Sequence, residues 1–296
     1  MDDYISAVVG RNVAGLEQSS IEAAAMDSFL DSIRIKTVQE IARALDIPEE
    51  NVPLLFISGI LLNRIVKVMD AKLIWAPGVS LCDGIAYEYG EKNKILKSGH
   101  DFEQDIIACA QNISKRYMGS KRRGETLEQI ALTIYDSMKK VHGLGKRERL
   151  LLRIATLLHD CGKYISLVNL GECSYHIIMS TEIIGLSHME REIVANVVKY
   201  NHLEFDYYDL MSQDNTISGR DYLTIAKLTA ILRVANGMDR SHKQKFKNVK
   251  TALKDEKLII TVDSSQDITL EKGLLARRAH FFEEVFSVCP VIRQKG

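Results

Sequence analysis

The chain has 296 residues, of which 46% are apolar and 26% charged, and its 39 basic and 39 acidic side chains cancel. This length suits two domains, and the composition is typical of a folded globular protein. No apolar run approaches the ~20 residues of a membrane span, and the acidic residues 1–4 do not begin a signal peptide. The five cysteines are scattered and never spaced as Cys-x-x-Cys. We therefore expect a cytoplasmic protein without a disulfide framework or a zinc knuckle.

Charge is unevenly distributed along the chain. Residues 1–98 carry 10 basic and 14 acidic side chains, whereas residues 115–153 carry 11 basic and 4 acidic ones. Residues 240–250 add five basic side chains and no acidic one. Solvated helix faces are the ordinary interpretation of such runs, but two of them in one half of the chain indicate a polyanionic partner.

The first region reads as alternating helices and strands. Helical spacing over residues 19–46 ends at Pro48, and residues 54–57 form an all-apolar run typical of a buried strand. A turn at Ser58 and Gly59 then leads into a helix, and residues 72–76 predict a second strand before a further helix. Such alternation predicts a parallel sheet covered by helices. Because a glycine between strand and helix allows close approach of a phosphate, Ser58 and Gly59 are a candidate nucleotide-side turn.

The second region is mainly helical. A linker over residues 92–99 precedes segments with helical spacing and glycine breakers, which we place at residues 101–118, 124–141, 146–160, 190–200 and 222–236. A long polar loop covers residues 203–220. Near the end of the chain, the sequence predicts two strands, a helix and a last edge strand, at residues 249–254, 257–263, 269–286 and 291–293.

The most informative stretch is the apolar helix that begins at Leu150 and ends in the adjacent pair His159 and Asp160, followed by Gly162 and Lys163. An imidazole nitrogen and a carboxylate oxygen at the rigid end of a buried helix can both bind one divalent metal. The simpler alternative is a polar cluster that holds helices together. The longer pattern Leu-Leu-His-Asp-x-Gly-Lys resembles the HD superfamily of helical, often metal-dependent phosphohydrolases.

In that superfamily the metal ligands are an early histidine, the His-Asp pair and a late aspartate. His159, Asp160 and Asp239 match the last three, and His202 is a candidate substitute for a further histidine. The early histidine falls at Thr126, which is a poor metal ligand. A metal at this site is therefore doubtful, and we expect Asp160 to orient His159 or to accept backbone N–H groups.

The chain also resembles the exopolyphosphatase / guanosine-pentaphosphate phosphatase family over almost its whole length. Four stretches match successive motifs of that family in the right order: residues 80–85, 141–144, 150–162 and 185–187 with Glu190. Cys82 replaces an arginine of the family pattern. The resemblance implies an α+β, mainly α chain: part of an actin-like (ribonuclease H-like) α/β lobe in residues 1–98, an all-helical HD-type domain in residues 99–244, and a small α+β cap in residues 245–296.

The resemblance also implies a function for the complete protein, the Mg²⁺-dependent hydrolysis of phosphoanhydride bonds of polyphosphate or guanosine pentaphosphate between two actin-like lobes. The family holds the phosphates on glycine-rich hairpins, but this chain contains no Gly-Gly pair. We therefore expect no catalytic residue here, and a missing N-terminal lobe in the same or another polypeptide. We expect polyphosphate or guanosine polyphosphate binding and a homodimer, without membrane or specific nucleic acid. The candidate phosphate ligands are Lys121, Arg122, Arg123, Lys146, Arg147 and Arg149.

Two other functions remain open at this stage. One is a metal-dependent HD-domain phosphohydrolase that acts through His159, Asp160 and Asp239. The other is a regulatory or dimerisation module without catalysis. Metal content and phosphate release by the chain alone distinguish these alternatives from polyphosphate binding.

Overall fold

The structure is a computed structural model that describes residues 20–75, 79–97, 99–211, 217–239, 243, 245–246, 248–264 and 266–295. The chain divides into two compact units, Met1–Gly99 and His100–Gly296. Each unit has its own apolar core. The structure is mainly helical with two small sheets, which confirms the predicted mainly α, α+β class.

Within residues 20–75, 79–97 and 99, the first unit contains four helices, a 3₁₀ turn and two short strands. The strands are β1 (Ser20–Glu22) and β2 (Leu73–Trp75), the 3₁₀ turn is Glu49–Asn51, and the helices are α1 (Ala23–Arg34), α2 (Val38–Leu45), α3 (Val52–Val68) and α4 (Leu81–Lys92). Capping boxes begin α2 at Thr37 and α4 at Ser80, because each hydroxyl accepts a backbone N–H while the carboxylate three residues on accepts the N–H of the cap.

The predicted strand at residues 54–57 is wrong, because this segment lies inside α3. Leu55 is buried, whereas Leu54 and Ile57 are 67% and 57% exposed, which is the burial pattern of a one-sided helix. Ser58 and Gly59, expected in a turn, also lie within α3, where the Ser58 hydroxyl donates to the carbonyl of Leu55 at 3.0 Å. They therefore do not form the turn that the nucleotide-side prediction required.

The predicted parallel sheet is also wrong. β1 and β2 pair antiparallel, with Ile21 opposite Ile74, and they form a two-stranded sheet. A two-stranded antiparallel pair needs no crossover helix, so the alternation of segments in the sequence was a misleading signal here. The actin-like lobe itself stays a prediction.

The segment Glu49–Val68 is long and apolar enough, by length and composition alone, to cross a membrane. Of its apolar 18-residue stretch, 22% is buried. The turn predicted at Ser58 divided this segment in two, so its continuous apolar length does not stand out in the sequence. α3 nevertheless carries polar groups that contact α1: Asn63 Nδ2 donates to Asp27 at 2.5 Å and Lys67 pairs with Asp27 at 2.7 Å. Packing against α1 is therefore part of this helix's role.

The second unit is a helical body joined to a three-stranded sheet. Its helices are α5 (Phe102–Arg116), α6 (Lys121–Ser137), α7 (Lys139–His142), α8 (Lys146–Leu157), α9 (Leu170–Met179), α10 (His188–Tyr200), α11 (Tyr208–Met211), α12 (Gly219–Met238) and α13 (Thr269–Phe286), with a 3₁₀ turn at Cys161–Tyr164. These bounds confirm the predicted helices to within a few residues. The residues 203–220, predicted as loop, include the short α11.

The sheet of this unit has the order β3–β4–β5, with β3 (Val249–Lys254), β4 (Lys257–Asp263) and β5 (Cys289–Lys295). β3 and β4 pair antiparallel, and β5 pairs parallel to β4 because α13 carries the chain back across the sheet. The predicted strands and the edge position of β5 are confirmed. Thr251 donates to the carbonyl of Thr133 in α6, and the sheet shares one apolar core with the helices.

The backbone around the His-Asp turn leaves no room for a side chain at Gly162. A Cβ on Gly162 would collide with the backbone carbonyl of Leu170 and the backbone nitrogen of Ser174. We expect Gly162→Ala to lower the free energy of unfolding by about 1–3 kcal/mol, the usual cost of overpacking. The measurement is urea unfolding followed by far-UV circular dichroism.

The matched control is Gly219→Ala at the first turn of α12, where nothing lies within 4 Å of the added Cβ. We expect no loss there, because alanine favours the helix over glycine. Equal unfolding midpoints for the wild type and Gly162→Ala would show that the turn adapts to the extra methyl group.

Candidate functional site

The His-Asp pair lies at the end of α8, beside the apolar core of the second unit. From Leu150 to Leu158, seven of the apolar side chains are at most 8% exposed and pack in the main core. His159 and Asp160 follow in the turn before the 3₁₀ segment and are 0% and 5% exposed. The apolar helix therefore fixes both polar side chains inside the protein, as the sequence indicated.

His159 is held through its ring nitrogen Nδ1, which lies 2.8 Å from the carbonyl oxygen of Thr156. Since a carbonyl only accepts, Nδ1 carries the proton and donates, and Nε2 keeps its lone pair. Nε2 has no hydrogen-bond partner among the described residues. Burial lowers the pKa of His159 to about 4, although the nearby Asp160 carboxylate acts in the opposite direction. His159 is therefore neutral near pH 7.

His202, which follows α10, reaches the same cluster. Its Nε2 lies 2.9 Å from the carbonyl oxygen of His159, so in the neutral ring Nε2 donates this hydrogen bond. Burial lowers the pKa of His202 to about 4, and the positive charges of Arg278 and Arg123 add to that effect. The structure thus brings His202 to the pair, while His176 lies exposed on α9 and outside the cluster.

The cation in this cluster is Arg123 of α6. Its side chain is 10% exposed, its Nη2 donates to Asn236 Oδ1 at 2.6 Å, and its Nε lies 3.7 Å from Asp239 Oδ2. Asn236 in turn donates to Asn201 Oδ1 at 3.2 Å. Arg123 therefore links α6 to the end of α12, and Asp239 already has a positive partner.

These contacts do not fit the predicted metal site. Asp239 faces the Arg123 guanidinium, and His202 Nε2 is engaged with a backbone carbonyl. Among the described residues no three His, Cys, Asp or Glu side chains converge as metal ligands. His159 Nε2 and Asp160 Oδ1 are buried polar atoms without a hydrogen-bond partner there, but two atoms are too few for a stable metal site.

Thr126, the residue at the early-ligand position of the family resemblance, lies on α6. The Thr126 hydroxyl donates to the carbonyl of Arg122, one turn earlier in α6, so its hydrogen bond is made within its own helix. Arg123, three residues before Thr126, is the α6 side chain that reaches the His-Asp pair. Asp160 also accepts from the backbone N–H of Ser120 at 3.4 Å, which agrees with the capping role expected for this carboxylate.

The six predicted phosphate ligands fall into three groups. Arg123 is buried, so its place in an exposed polyphosphate groove is wrong. Arg147 forms two hydrogen bonds with Glu190, which lower the pKa of that carboxyl, and Arg149 forms two with Asp136. Lys121, Arg122 and Lys146 are exposed. Bidentate pairing neutralises the second group, so the third group offers the accessible charge.

The exposed cations follow the length of α6. Lys121 and Arg122 lie at its start. Lys146 begins α8, in which Arg149 pairs with Asp136 near the end of α6. The fifteen-residue separation between Lys121 and Asp136 spans about 20 Å. Gln129, near the middle of α6, and Lys250 of β3 line one cavity of about 290 Å³. The cations therefore form a line rather than one compact cluster.

The second basic run, residues 240–250, contributes less than its composition suggests. Lys245 pairs at 3.0 Å with Glu271, whose side chain is 0% exposed. Arg240 and Lys247 lie outside the described residues, whereas Lys243 and Lys250 are exposed. Exposed positive charge in this run is therefore concentrated, among the described residues, at Lys243 and Lys250.

The two buried histidines predict a pH dependence of stability. Their folded pKa of about 4 lies below the ordinary value near 6.5, so between these values the unfolded chain binds protons that the folded chain does not. The free energy of unfolding should fall as the pH drops from 6.5 to 4, by up to about 1.4 kcal/mol per pH unit for each histidine.

His202→Gln should flatten this fall, because glutamine can keep a hydrogen bond to the His159 carbonyl but does not titrate. Urea unfolding at half-unit steps from pH 4 to 8 measures the difference. The values above pH 7 serve as the internal control, since they record the cost of the substitution itself. If the free energies of unfolding of the variant and the wild type differ by the same amount at every pH, the lowered pKa of His202 is contradicted.

Comparison with known proteins agrees with this architecture. A guanosine-5'-triphosphate,3'-diphosphate pyrophosphatase from Aeromonas hydrophila is 24% identical over 182 residues, which are 61% of this chain and 34% of that protein. The chain thus spans about a third of the length of the curated relative it matches. The family model described as Ppx/GppA phosphatase, domain III, matches residues 107–279, which include the whole His-Asp cluster. The chain therefore belongs to the Ppx/GppA phosphatase family.

Proposed function

We propose that this chain is the helical, substrate-holding part of a phosphohydrolase that acts on phosphoanhydride bonds of polyphosphate or guanosine polyphosphate. The observation that carries the proposal is the line of exposed cations along α6 in a chain of the Ppx/GppA phosphatase family. The relative from Aeromonas hydrophila is a pyrophosphatase by name, and a guanosine polyphosphate is its named substrate. Both candidate substrates are rich in phosphate charge, so one basic surface suits either.

The proposed role is binding rather than cleavage by this chain alone. Phosphoryl transfer relies on groups that position the phosphate and stabilise its charge, which the family resemblance places on glycine-rich hairpins with Mg²⁺. The sequence contains no Gly-Gly pair. Mg²⁺ therefore belongs, in this proposal, to the lobes of the complete enzyme, in the cytoplasm. The alternative of a metal-dependent HD phosphohydrolase is disfavoured by the Arg123 contact with Asp239.

The basic line suits a linear polyanion because its members are spread along one helix. Arg122, Gln129 and Thr133 follow each other at seven and four residues, which places them on one face of α6. Lys250 lies beside Gln129, and Thr251 bonds to Thr133. A chain of phosphates laid along this face would meet Arg122 at the start of α6 and Lys250 beside its middle. Affinity would then come from the charge of the phosphates.

An apolar stripe on α3 supports a partner for the first unit. Exposed side chains recur at three- and four-residue spacing along one face of this helix, at Leu54, Ile57, Leu61, Ile65 and Val68. Such a stripe marks an interaction surface. We propose that the remainder of an actin-like lobe covers it, in the same polypeptide or another. The stripe equally favours the regulatory or dimerisation alternative, and the expected homodimer stays a prediction.

The salt dependence of polyphosphate binding tests the proposal. Each neutralised phosphate should contribute about 0.7 to the slope of log affinity against log salt, if polyphosphate resembles a single-stranded nucleic acid. Replacing Lys121, Arg122 and Lys146 together by alanine should therefore flatten the slope by about two units. Fluorescence anisotropy of labelled long-chain polyphosphate at several salt concentrations measures it.

The control removes three exposed lysines of the first unit, Lys92, Lys94 and Lys97, which gives the same change in net charge. Its slope should match the wild type. If both triple variants lose the same slope, affinity follows net charge alone and the line along α6 is not the binding surface.

A further inference from the structure

A short apolar segment lies on the surface of the second unit, directly after the His-Asp turn. It covers residues 164–168, and its four large apolar side chains are all exposed: Tyr164, Ile165, Leu167 and Val168. Leu167 is 70% exposed and Val168 is 91% exposed. Side chains this exposed add little to the core, and a cluster of them marks an interaction surface. Residues 164–168 are called the apolar loop below.

Hydrogen bonds hold the base of the apolar loop. The backbone N–H groups of Ile165 and Ser166 both donate to the carbonyl of Gly162 at 3.0 Å. The Ser166 hydroxyl accepts from the backbone N–H of Asn169 at 3.1 Å. Ser166 is half-buried, whereas the apolar side chains on either side of it are exposed. The polar residue therefore anchors the loop, and its apolar residues face solvent.

The turn between α5 and α6 adds a further apolar side chain beside this loop. Met118 in that turn is 79% exposed and has a φ of +54°, a backbone conformation that large side chains rarely adopt. The ring of the neighbouring Tyr117 meets the Tyr164 ring edge-on, with centroids 5.7 Å apart. The contact between the two tyrosines thus joins the turn and the apolar loop in one surface.

Five exposed cations accompany these apolar side chains. They lie in residues 115–122 and directly before the apolar loop: Lys115, Arg116, Lys121, Arg122 and Lys163. Residues 115–122 and 163–169 contain no Asp or Glu. The next carboxylate along the chain after residue 122 is Glu125, which lies 4.0 Å from Lys121. The surface is therefore both apolar and positively charged.

A cavity of about 420 Å³ lies between two of these lysines. Lys115 and Lys121 both line it, together with Gly119 and Ser120 of the turn, and Glu125 lines it as well. This volume is in the range of cavities that hold small ligands. Two ammonium groups at one cavity suit the phosphate of a lipid head group, since each is a compact positive charge with three N–H donors.

The combination of the two chemistries distinguishes the candidate partners. A linear polyphosphate would use the cations but gives no reason for the apolar loop. A protein partner would cover the apolar loop, but the buried centre of protein interfaces is depleted in lysine. An anionic bilayer matches both, because its head groups are negative and its interface accepts aliphatic and aromatic side chains.

We propose that this surface docks on an anionic phospholipid membrane, with Met118, Leu167 and Val168 in the interface and lipid phosphates at the surrounding cations. The binding is peripheral and requires both chemistries, since a few apolar side chains hold a protein at a bilayer only weakly without a second signal. Each lysine or arginine near the anionic surface strengthens binding about fivefold. The proposal departs from the expectation of a chain without a membrane partner, and it does not depend on polyphosphate binding.

Sedimentation of the chain with lipid vesicles tests this proposal. Vesicles of equal parts phosphatidylcholine and phosphatidylglycerol should bind the chain about tenfold more tightly, or better, than vesicles of phosphatidylcholine alone. Added salt should weaken that binding. Leu167→Ser with Val168→Ser should lower the affinity for the mixed vesicles about tenfold or more, because two aliphatic side chains no longer enter the interface. Circular dichroism verifies that this variant is folded, which we expect because both side chains are exposed.

The matched control makes the same kind of change on α3, Leu61→Ser with Ile65→Ser, at two other exposed aliphatic residues. It should leave vesicle binding unchanged, because the proposal assigns the membrane contact to the second unit. Lys115→Ala with Lys163→Ala should lower the affinity for mixed vesicles about twentyfold. The variant of Leu167 and Val168 should bind polyphosphate as the wild type does, since it keeps every cation.

Three results would overturn the assignment. The first is wild-type binding to mixed vesicles that is absent or no tighter than binding to phosphatidylcholine alone. The second is undiminished binding by the variant of Leu167 and Val168. The third is an equal loss in that variant and in the α3 control, which would show that exposed apolar surface in general, and not the apolar loop, holds the chain at the vesicles.

Discussion

The second unit depends on one buried cation, the guanidinium of Arg123. It joins α6 to α12 through Asn236 and Asp239, next to the His-Asp pair at the end of α8. A buried charge costs several kcal/mol unless it is paired, and removing one partner of such a pair typically costs about 3–5 kcal/mol. Both partners must therefore be present together, which fixes how α6 meets the end of α12. The two neutral histidines pack beside this pair without adding charge.

This constraint explains why, among the described residues, the side chains around the His-Asp pair do not converge as metal ligands. An HD-type metal needs a late aspartate and an imidazole nitrogen that point at one place. In this chain the late aspartate, Asp239, points at Arg123, and His202 bonds to the backbone of His159. A guanidinium and a divalent metal both balance carboxylate charge, but only the metal supplies a Lewis acid for hydrolysis. The Arg123 contact therefore balances the carboxylate charge of Asp239 without supplying a Lewis acid.

The chain places its other cations in different settings, and that determines what its surface can do. Bidentate pairs with carboxylates neutralise Arg147 and Arg149, and Glu271 neutralises Lys245 inside the protein. Lys121, Arg122 and Lys146 remain exposed. Arg233 is half-buried, donates to the carbonyls of Tyr200 and Leu203, and lies 4.5 Å from the centre of the Phe281 ring. Net charge along the sequence could not separate these settings, because pairing depends on residues far away in the chain.

Several elements could be predicted from the sequence because their signals are local. The strands β3 and β4 follow from β-branched residues around a polar turn, and α8 follows from an apolar run that ends in a polar pair. The strand proposed at residues 54–57 failed because a short apolar run has no period, and the exposure of Leu54 and Ile57 appears only in three dimensions. Arg123 was placed on the surface because it belongs to a basic run, yet Asn236 lies 113 residues away.

Metal content tests the central role of Arg123 most directly. The measurement is elemental analysis of the wild-type chain, purified without chelator, beside His159→Ala. Because Asp239 is paired with a guanidinium, both proteins should hold well under one equivalent of manganese, iron, nickel or zinc. A stoichiometric metal in the wild type that is lost in His159→Ala would contradict the account and establish a metal-dependent HD site.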